Sequence, residues 1–591
     1  MGAYMHIHGR SAWRYGATVL LTALASCGGG GDAPAPDDPL AAYKSQAVAW
    51  APCDPHVLGP NSDLIQQLGD KVSCATIRAP LDYARTDRGD IRVALLKVAT
   101  ADPKVRKGAI VFNPGGPGGD GLELAANFGA LFAQPPSDSP TRAALQDLAR
   151  HYDMVGFSPR GTGAGTTLTC TANEPSREVN FPSDDRSPAN IEAMLYNLRL
   201  ATKACQNNPL TPYINTEQTA WDLDLIRHLI GDAKLNYIGY SYGTWLGAWY
   251  AARFPGQAGH LMLDSAVDFT AGFDEAMIGQ SVGKQRVLDE VMSPYFARHP
   301  DLFRLGADAS RIRALFGTLP SPLKAAVGAT LAFNKSRGLV PSGLVLLAAG
   351  IVRDQLAADP GMSDADLRTA VDTAIRDQAP FDIEAALRAA TRLLDQFAAI
   401  RFPEPRSLLM PPEEATYVAV VCNDVGTRTD PRYWIDLGNE MAVTHPVTGG
   451  SMTEAPCLYW GGPTTAKPTV QDTAKAGPLM VVQSQFDALT LTENALRFVD
   501  ALPTARLLYV KGEYSHGVFP YMSTCVDHRV TAFFLDDALP ARRTDCDQVP
   551  FYGDVVAPGS LKRMAAPDQA RTDALLDRIQ DILGGAGQKG R

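Results

Sequence analysis

Short apolar runs of strand length recur along the chain, with helix-periodic stretches between them. IRVALLKVA, GAIVFNPG, YDMVGFSPRG, LNYIGYS, HLMLDSAV, LMVVQSQFD and RLLYVKGE are each β-branched or aromatic in part, and most end in Gly, Pro or Asp. Helical segments such as TAWDLDLIRHLIG alternate with them. That alternation predicts an α/β fold with a mostly parallel central sheet and helices on both faces. Ligands in such sheets bind beyond the carboxyl ends of the strands, where the runs give way to loops.

Between residues 272 and 470 the strand signal fades and a helical period takes over. Leu367, Val371, Ala374 and Ile375 share one face behind a Ser363 cap, and Ile383, Leu387, Leu394 and Phe397 repeat the pattern. This predicts a large, mainly helical cap inserted into the sheet. Leu339 to Val352 is the best later apolar stretch, but Pro341, Ser342 and Gly343 interrupt it, so it reads as a buried helix and not a membrane span. Near the carboxyl end Leu575, Leu576, Ile579, Ile582 and Leu583 form an amphipathic stripe that docks on the body. The expected division is a core in two parts, 46–271 and 471–560, around a cap at 272–470, with a tail at 561–591.

The first residues change the picture of where the protein works. Arg10 and Arg14 precede a short apolar stretch from Ala17 to Ala25, the pattern of an export signal. Leu24-Ala25-Ser26-Cys27 resembles a bacterial lipobox, which predicts a signal peptide over 1–26 and a lipid-bearing Cys27. GGGGDAPAPDDP then supplies a flexible tether, 27–45. The expected location is the periplasm or cell surface, anchored to the membrane through that lipid.

Cysteine usage fits an oxidising compartment. Eight cysteines remain beside Cys27, namely Cys53, Cys74, Cys170, Cys205, Cys422, Cys457, Cys525 and Cys546. Sequence neighbours suggest the pairs 53–74, 170–205, 422–457 and 525–546, although eight cysteines allow 105 connectivities. None has the C-x-x-C spacing of a zinc or redox site, so neither metal nor cofactor is expected. The formal charge of −10 argues against nucleic acid as a partner, while 45% hydrophobic and 20% charged residues describe a soluble globular chain. Oligomeric state is not legible.

The chemistry concentrates at a few strand ends. Residues 239–243 read GYSYG, a G-x-S-x-G placed between the strand-like KLNYIG and the helix-like GTWLGAWYAARF. A small-x-Ser-x-small turn in that setting lifts a serine hydroxyl out of a sheet, so Ser241 is the candidate nucleophile. A serine needs a base to take its proton and an acid to orient that base. Downstream, Asp487 follows the strand-like LMVVQSQF and His516 follows RLLYVKG on the loop EYSHGVF. His445 and His528 compete for the base, and Asp264, at the end of LMLD, is the main rival acid. NPGGPGGDG at 113–121 can aim backbone N–H groups at an oxyanion, one from Gly115 or Gly116 and a second from Tyr242. The loop lacks the G-K-[ST] ending of a phosphate-binding loop.

Together CATIRAPLDYA, NPGGPGG, YDMVGFSPRGTG, GYSYGTWLG, FDALTLTENA and SHG resemble the secreted tripeptidyl aminopeptidases and related proline iminopeptidases of the α/β-hydrolase fold. The resemblance runs from about residue 50 to about 550, apart from the insertion. It implies Ser241 as nucleophile, Asp487 as acid, His516 as base, the glycines 115–116 as oxyanion donors, and release of short peptides or single residues from free amino termini. The chain departs from the pattern in three places. Pro114 stands where iminopeptidases usually have His, Ser158 where relatives commonly carry Asp, and Ser515 where they carry Gly.

An aminopeptidase also needs a carboxylate for the substrate's ammonium group, because burying that charge unpaired is costly. EEATYVAVVCNDVG offers Glu413, Glu414 and Asp424, with Asp424 favoured. The sequence therefore reads as a serine exo-peptidase with peptide substrates. A carboxylic-ester hydrolase with the same triad and a catalytically silent surface binding module are the alternatives.

Overall fold

The computed structural model describes residues 38–401, 407–554 and 567–585. The expected signal peptide and Cys27 lie outside the described residues, as does the tether as far as Asp37.

Nine strands form one sheet. They are β1 (Val72–Pro80), β2 (Asp90–Val98), β3 (Gly108–Asn113), β4 (Tyr152–Phe157), β6 (Leu235–Tyr240), β7 (Ala258–Asp264), β9 (Met480–Ser484), β10 (Arg506–Lys511) and β11 (Arg543–Asp547). Their spatial order is β1-β2-β4-β3-β6-β7-β9-β10-β11. β1, β2 and β4 pair antiparallel, and every pairing from β4 through β3 to β11 is parallel. A separate antiparallel pair joins β5 (Cys170–Pro175) to β8 (Ser407–Met410).

Burial explains the strand signal. Every residue of β3, β4, β6 and β9 is buried, as expected for strands covered on both faces, and each reads as a near-continuous apolar run. One hydrophobic cluster fills one side of the sheet around Trp245, Trp249 and Tyr237, and another fills the opposite side around Phe128, Phe132 and Phe519. β11 carries RTDCD, in which Cys546 alone is buried, so this edge strand has no apolar run to announce it.

Between Asp264 and Met480 the chain is mostly helical and builds a third cluster around Phe296, Phe303 and Val371. Asp364–Gln378 starts at Ser363, whose hydroxyl accepts from the Asp366 N–H, and buries Leu367, Val371 and Ile375. Leu339–Ala358 runs further than its apolar core suggested, because Pro341 sits in the first turn, where its missing N–H costs no helical bond. Among the described residues, the stretch Ser336–Ala358 is the one helix long and apolar enough to cross a membrane, and it is mostly buried within the helical layer. The C-terminal helix Pro567–Gly585 packs Leu575, Leu576, Ile579 and Leu583 against the sheet-side cluster of Phe128 and Phe519.

The described cysteines form four disulfides, Cys53–Cys74, Cys170–Cys205, Cys422–Cys457 and Cys525–Cys546. Such bridges belong to a chain that matures in an oxidising compartment.

Candidate active site

Ser241 lies between the end of β6 and the helix Tyr242–Arg253, with φ 55° and ψ −124°. A non-glycine residue in this region costs about 1–3 kcal/mol and persists only where its surroundings fix it. Here they do. The Ser241 N–H donates to the Asp264 carbonyl at 3.0 Å, and the Thr244 hydroxyl donates to the Ser241 carbonyl at 2.6 Å. The flanking glycines let the backbones close up, since a Cβ on Gly239 would lie 2.4 Å from the Gly243 carbonyl oxygen and one on Gly243 2.7 Å from that of Asn113.

His516 and Asp487 meet on neighbouring loops after β10 and β9. His516 Nδ1 is 3.0 Å from each Asp487 carboxylate oxygen, and both side chains are buried. Asp487 is itself pinned, because Oδ1 accepts the Leu489 and Thr490 N–H groups at 2.8 and 2.9 Å while Oδ2 accepts the Thr490 hydroxyl at 3.0 Å. Its remaining acceptor capacity faces the imidazole, which fixes the proton on Nδ1 and leaves Nε2 as the basic nitrogen. That Nε2 is buried with no hydrogen-bond partner inside the protein, and His516 lines the same cavity as Ser241.

The rival acid has another task. Asp264 accepts the Val518 N–H at 3.0 Å and the Phe519 N–H at 2.7 Å, so it holds the loop that follows His516. Ser265 assists, accepting the Gly517 N–H at 2.7 Å. Burial pushes the Asp264 carboxyl up to about 7, against the opposing pull of those N–H donors. Of the competing histidines, His528 is exposed, and His445 ends the helix Pro431–Thr444 with its Nδ1 2.8 Å from the Thr444 hydroxyl.

The glycine loop separates the two oxyanion candidates. The Gly115 N–H donates to Asn113 Oδ1 at 3.0 Å, which removes it as a donor for a reacting oxygen. Gly115 serves instead by its lack of a side chain: at φ 95°, a Cβ there would come within 2.4 Å of the Tyr240 carbonyl and 2.9 Å of Ser241 Cβ. Gly116 is partly exposed and lines the cavity beside Ser241. Tyr242 is the first residue of its helix, where N–H groups have no intrahelical acceptor. Thr162, in the GFSPRGTG segment, donates to the Gly118 carbonyl at 2.9 Å, and the neighbouring Arg160 forms a buried two-point pair with Asp222, both bonds 2.8 Å.

Asp424 is not brought to the cavity. It is buried beneath the helix Tyr242–Arg253, where it accepts the Thr216 N–H at 2.8 Å, the Thr216 hydroxyl, and the Trp245 Nε1–H at 3.1 Å. The expectation that it anchors a substrate ammonium therefore fails on geometry, since its oxygens are committed to protein donors. Burial pushes its carboxyl up to about 7. The Thr216 hydroxyl lies 2.6 Å from the Tyr242 hydroxyl, so Asp424 instead steadies the residue that follows Ser241. Glu413 and Glu414 stand in the first turn of the helix Pro412–Asp424, where the Glu413 carbonyl abuts Gly118 and Tyr417, one turn on, lines the cavity.

The cavity has a volume of about 1050 Å³. Ser241, His516 and Gly116 form its floor, while Met277, Ala329, Gln396 and Tyr417 of the inserted helices contribute walls. Two of the three departures from the resemblance also find their place. Ser158 donates to Asp120 at 3.0 Å, and Ser515 accepts the Ser336 N–H at 3.0 Å. No group of three or more metal-binding side chains occurs among the described residues. The sequence reading missed Asn113 and the loop-holding task of Asp264, and both are polar residues at strand ends, the one signal that marked them.

Comparison with known proteins adds the family. The model described as alpha/beta hydrolase fold matches residues 108–307, and the TAP-like protein model matches 445–546, so the two together span β3 to β7 and the segments bearing Asp487 and His516. The chain belongs to the TAP-like α/β-hydrolases. This TAP-like hydrolase is 26% identical over 490 residues to a tripeptidyl aminopeptidase of Streptomyces coelicolor, covering 80% of this chain and 83% of that one. It is 26% identical over 526 residues to the serine protease Hip1 of Mycobacterium tuberculosis, covering 85% and 91%. It is 28% identical over 497 residues to a carboxylesterase B of the same organism, covering 80% and 86%. The TAP-like hydrolase is a serine hydrolase.

Proposed function

We propose that this chain is a serine exo-peptidase that releases short peptides or single residues from free amino termini through an acyl-enzyme. The observation that carries the reading is the His516 imidazole, oriented by Asp487 through Nδ1 and presenting an unpartnered Nε2 to the cavity that holds Ser241. In this reading His516 removes the Ser241 proton as the hydroxyl attacks the scissile carbonyl, and Asp487 stabilises the imidazolium. The Gly116 and Tyr242 N–H groups receive the developing oxyanion, each such donor contributing about 2.7–4 kcal/mol to the barrier. The imidazolium then protonates the leaving amine, and water attacks the ester by the reverse path.

The inserted helices act as a cap that limits access to chain ends. Glu413 and Glu414 do not line the cavity, but they stand in the first turn of the helix that brings Tyr417 into its wall, and they are the remaining carboxylates proposed for the substrate ammonium. The curated relatives named for tripeptidyl aminopeptidase and serine protease activity support peptides as substrates. The carboxylesterase B likeness supports ester hydrolysis as the second reading, because both reactions pass through one tetrahedral intermediate. A panel of free tripeptide amides, amino-blocked tripeptide amides and short-chain esters separates the two. Selective turnover of the free amides supports the peptidase, and preference for esters with indifference to the amino terminus contradicts it.

The four disulfides support an exported protein. We further propose that residues 1–26 are a lipoprotein signal, that Cys27 carries the lipid, and that the enzyme works tethered in the periplasm or at the cell surface. Loss of membrane association in Cys27→Ser is the test.

A further inference from the structure

The C-terminal helix reaches the active site. Leu583 and Gly584, in its last turn, line the same cavity as Ser241 and His516. A Cβ on Gly517, the residue after His516, would lie 2.4 Å from Leu583 Cδ1, so Leu583 fills the space that a side chain at 517 would need. Gly517 also holds φ 82°, a conformation open to glycine at little strain. On the other flank, a Cβ on Gly584 would meet the Asn334 amide, and the Asn334 carbonyl accepts the His516 N–H at 2.8 Å.

One short segment, 334–337, joins the two partners. Toward the histidine loop it offers the Asn334 carbonyl to His516, the Lys335 carbonyl to the Tyr514 hydroxyl at 2.8 Å, and the Ser336 N–H to Ser515 Oγ at 3.0 Å. Toward the helix it offers charge. Arg337 pairs with Asp573 at 2.8 Å and Asp577 at 2.6 Å, and Lys335 pairs with Asp581. Arg578 adds a fourth pair, with Asp63 at 3.0 Å. Both the helix and this segment lie outside the residues that either family model matches.

We infer that the C-terminal helix is the leaving-group wall of the cavity and that Leu583 sets how large a leaving residue the wall admits. The inference rests on the acyl-transfer reading of Ser241. In that chemistry the imidazole that activates the serine afterwards protonates the leaving amine, so the departing residue must pass beside the His516 ring. Leu583 is packed on the backbone next to that ring and borders the path. The helix is fixed there by paired charges on one side and a buried apolar stripe on the other.

The test uses the full-length protein and substrates with one constant free tripeptide joined to Gly, Leu or Trp amide. The ratio of kcat/KM for the Trp over the Gly leaving group is read in the wild type, in Leu583→Ala and in Leu583→Trp. Leu583→Ala raises the ratio about tenfold and Leu583→Trp lowers it, in line with the discrimination an apolar pocket gains or loses with side-chain size. If Leu583→Ala does not fold, Leu583→Val carries the same prediction with a smaller shift. A ratio unmoved by these variants overturns the inference. So does an equal change for all three leaving groups, which would mean that the helix acts through His516 and not on the departing residue. Turnover of the whole series by Ser241→Ala at the wild-type rate would instead overturn the acyl-transfer reading, whatever the ratio.

Discussion

Asp264 accepts the Phe519 backbone N–H at 2.7 Å, so the carboxylate at the end of β7 holds the loop that carries His516. The same carboxylate takes the Val518 N–H at 3.0 Å, and the Asp264 carbonyl takes the Ser241 N–H. One residue thereby ties the serine turn to the histidine loop.

Asp264→Ala leaves the Val518 and Phe519 donors buried without acceptors, at a cost of about 1–3 kcal/mol each. The variant should melt well below the wild type and lose kcat, with Asp264→Asn, which keeps one acceptor oxygen, falling between them. Thermal unfolding followed beside kcat for a tripeptide amide checks this. A kcat and melting temperature in Asp264→Ala equal to those of the wild type would show that the loop is held by other contacts.

Burial pushes the Asp264, Asp424 and Asp527 carboxyls up to about 7 each. A carboxyl whose folded value lies above its unfolded value of about 3.9 takes up a proton on folding. Its contribution to stability is full below about pH 4 and is lost as the pH rises through 7, at up to about 1.4 kcal/mol per pH unit for each group. Asp424→Asn removes one of these groups, so its pH profile should be flatter than that of the wild type over this window. Urea unfolding at pH 5, 6 and 7 makes the comparison, and parallel profiles would place the Asp424 proton elsewhere.

Much of the fold and part of the site were legible in the residues. β3, β4, β6 and β9 announce themselves because burial on both faces demands continuous apolar runs, and Ser363 announces the helix it caps. β11 was silent, since an edge strand with one buried residue needs no apolar run. Gly115 and Gly116 could not be told apart from composition, because the choice depends on where Asn113 Oδ1 points. Asp424 misled for a related reason: a carboxylate near a cysteine reads alike whether it faces a cavity or, as here, Thr216 and Trp245. The stripe on the C-terminal helix foretold docking but not the place, which depends on Arg337 and Lys335, more than 200 positions earlier in the chain.

Asp487→Asn keeps an oxygen for the Leu489 and Thr490 N–H groups but turns an amide N–H₂ toward His516 Nδ1. The imidazole then holds its proton on Nε2, the nitrogen that must accept one from Ser241. The expected result is a fall in kcat of about 10⁴-fold with a melting temperature near that of the wild type. Stopped-flow burst kinetics should show slow acylation. A variant that acylates at the wild-type rate would assign the orienting role to another acid.

The most direct measurement is the hydrolysis of a free tripeptide anilide by the wild type and by Ser241→Ala, each also treated with a serine-directed fluorophosphonate. Wild-type enzyme should label at Ser241 and turn over, while the variant should fold, resist labelling and lose kcat by about 10⁴ to 10⁶-fold. Unchanged hydrolysis by a folded Ser241→Ala protein would contradict the account.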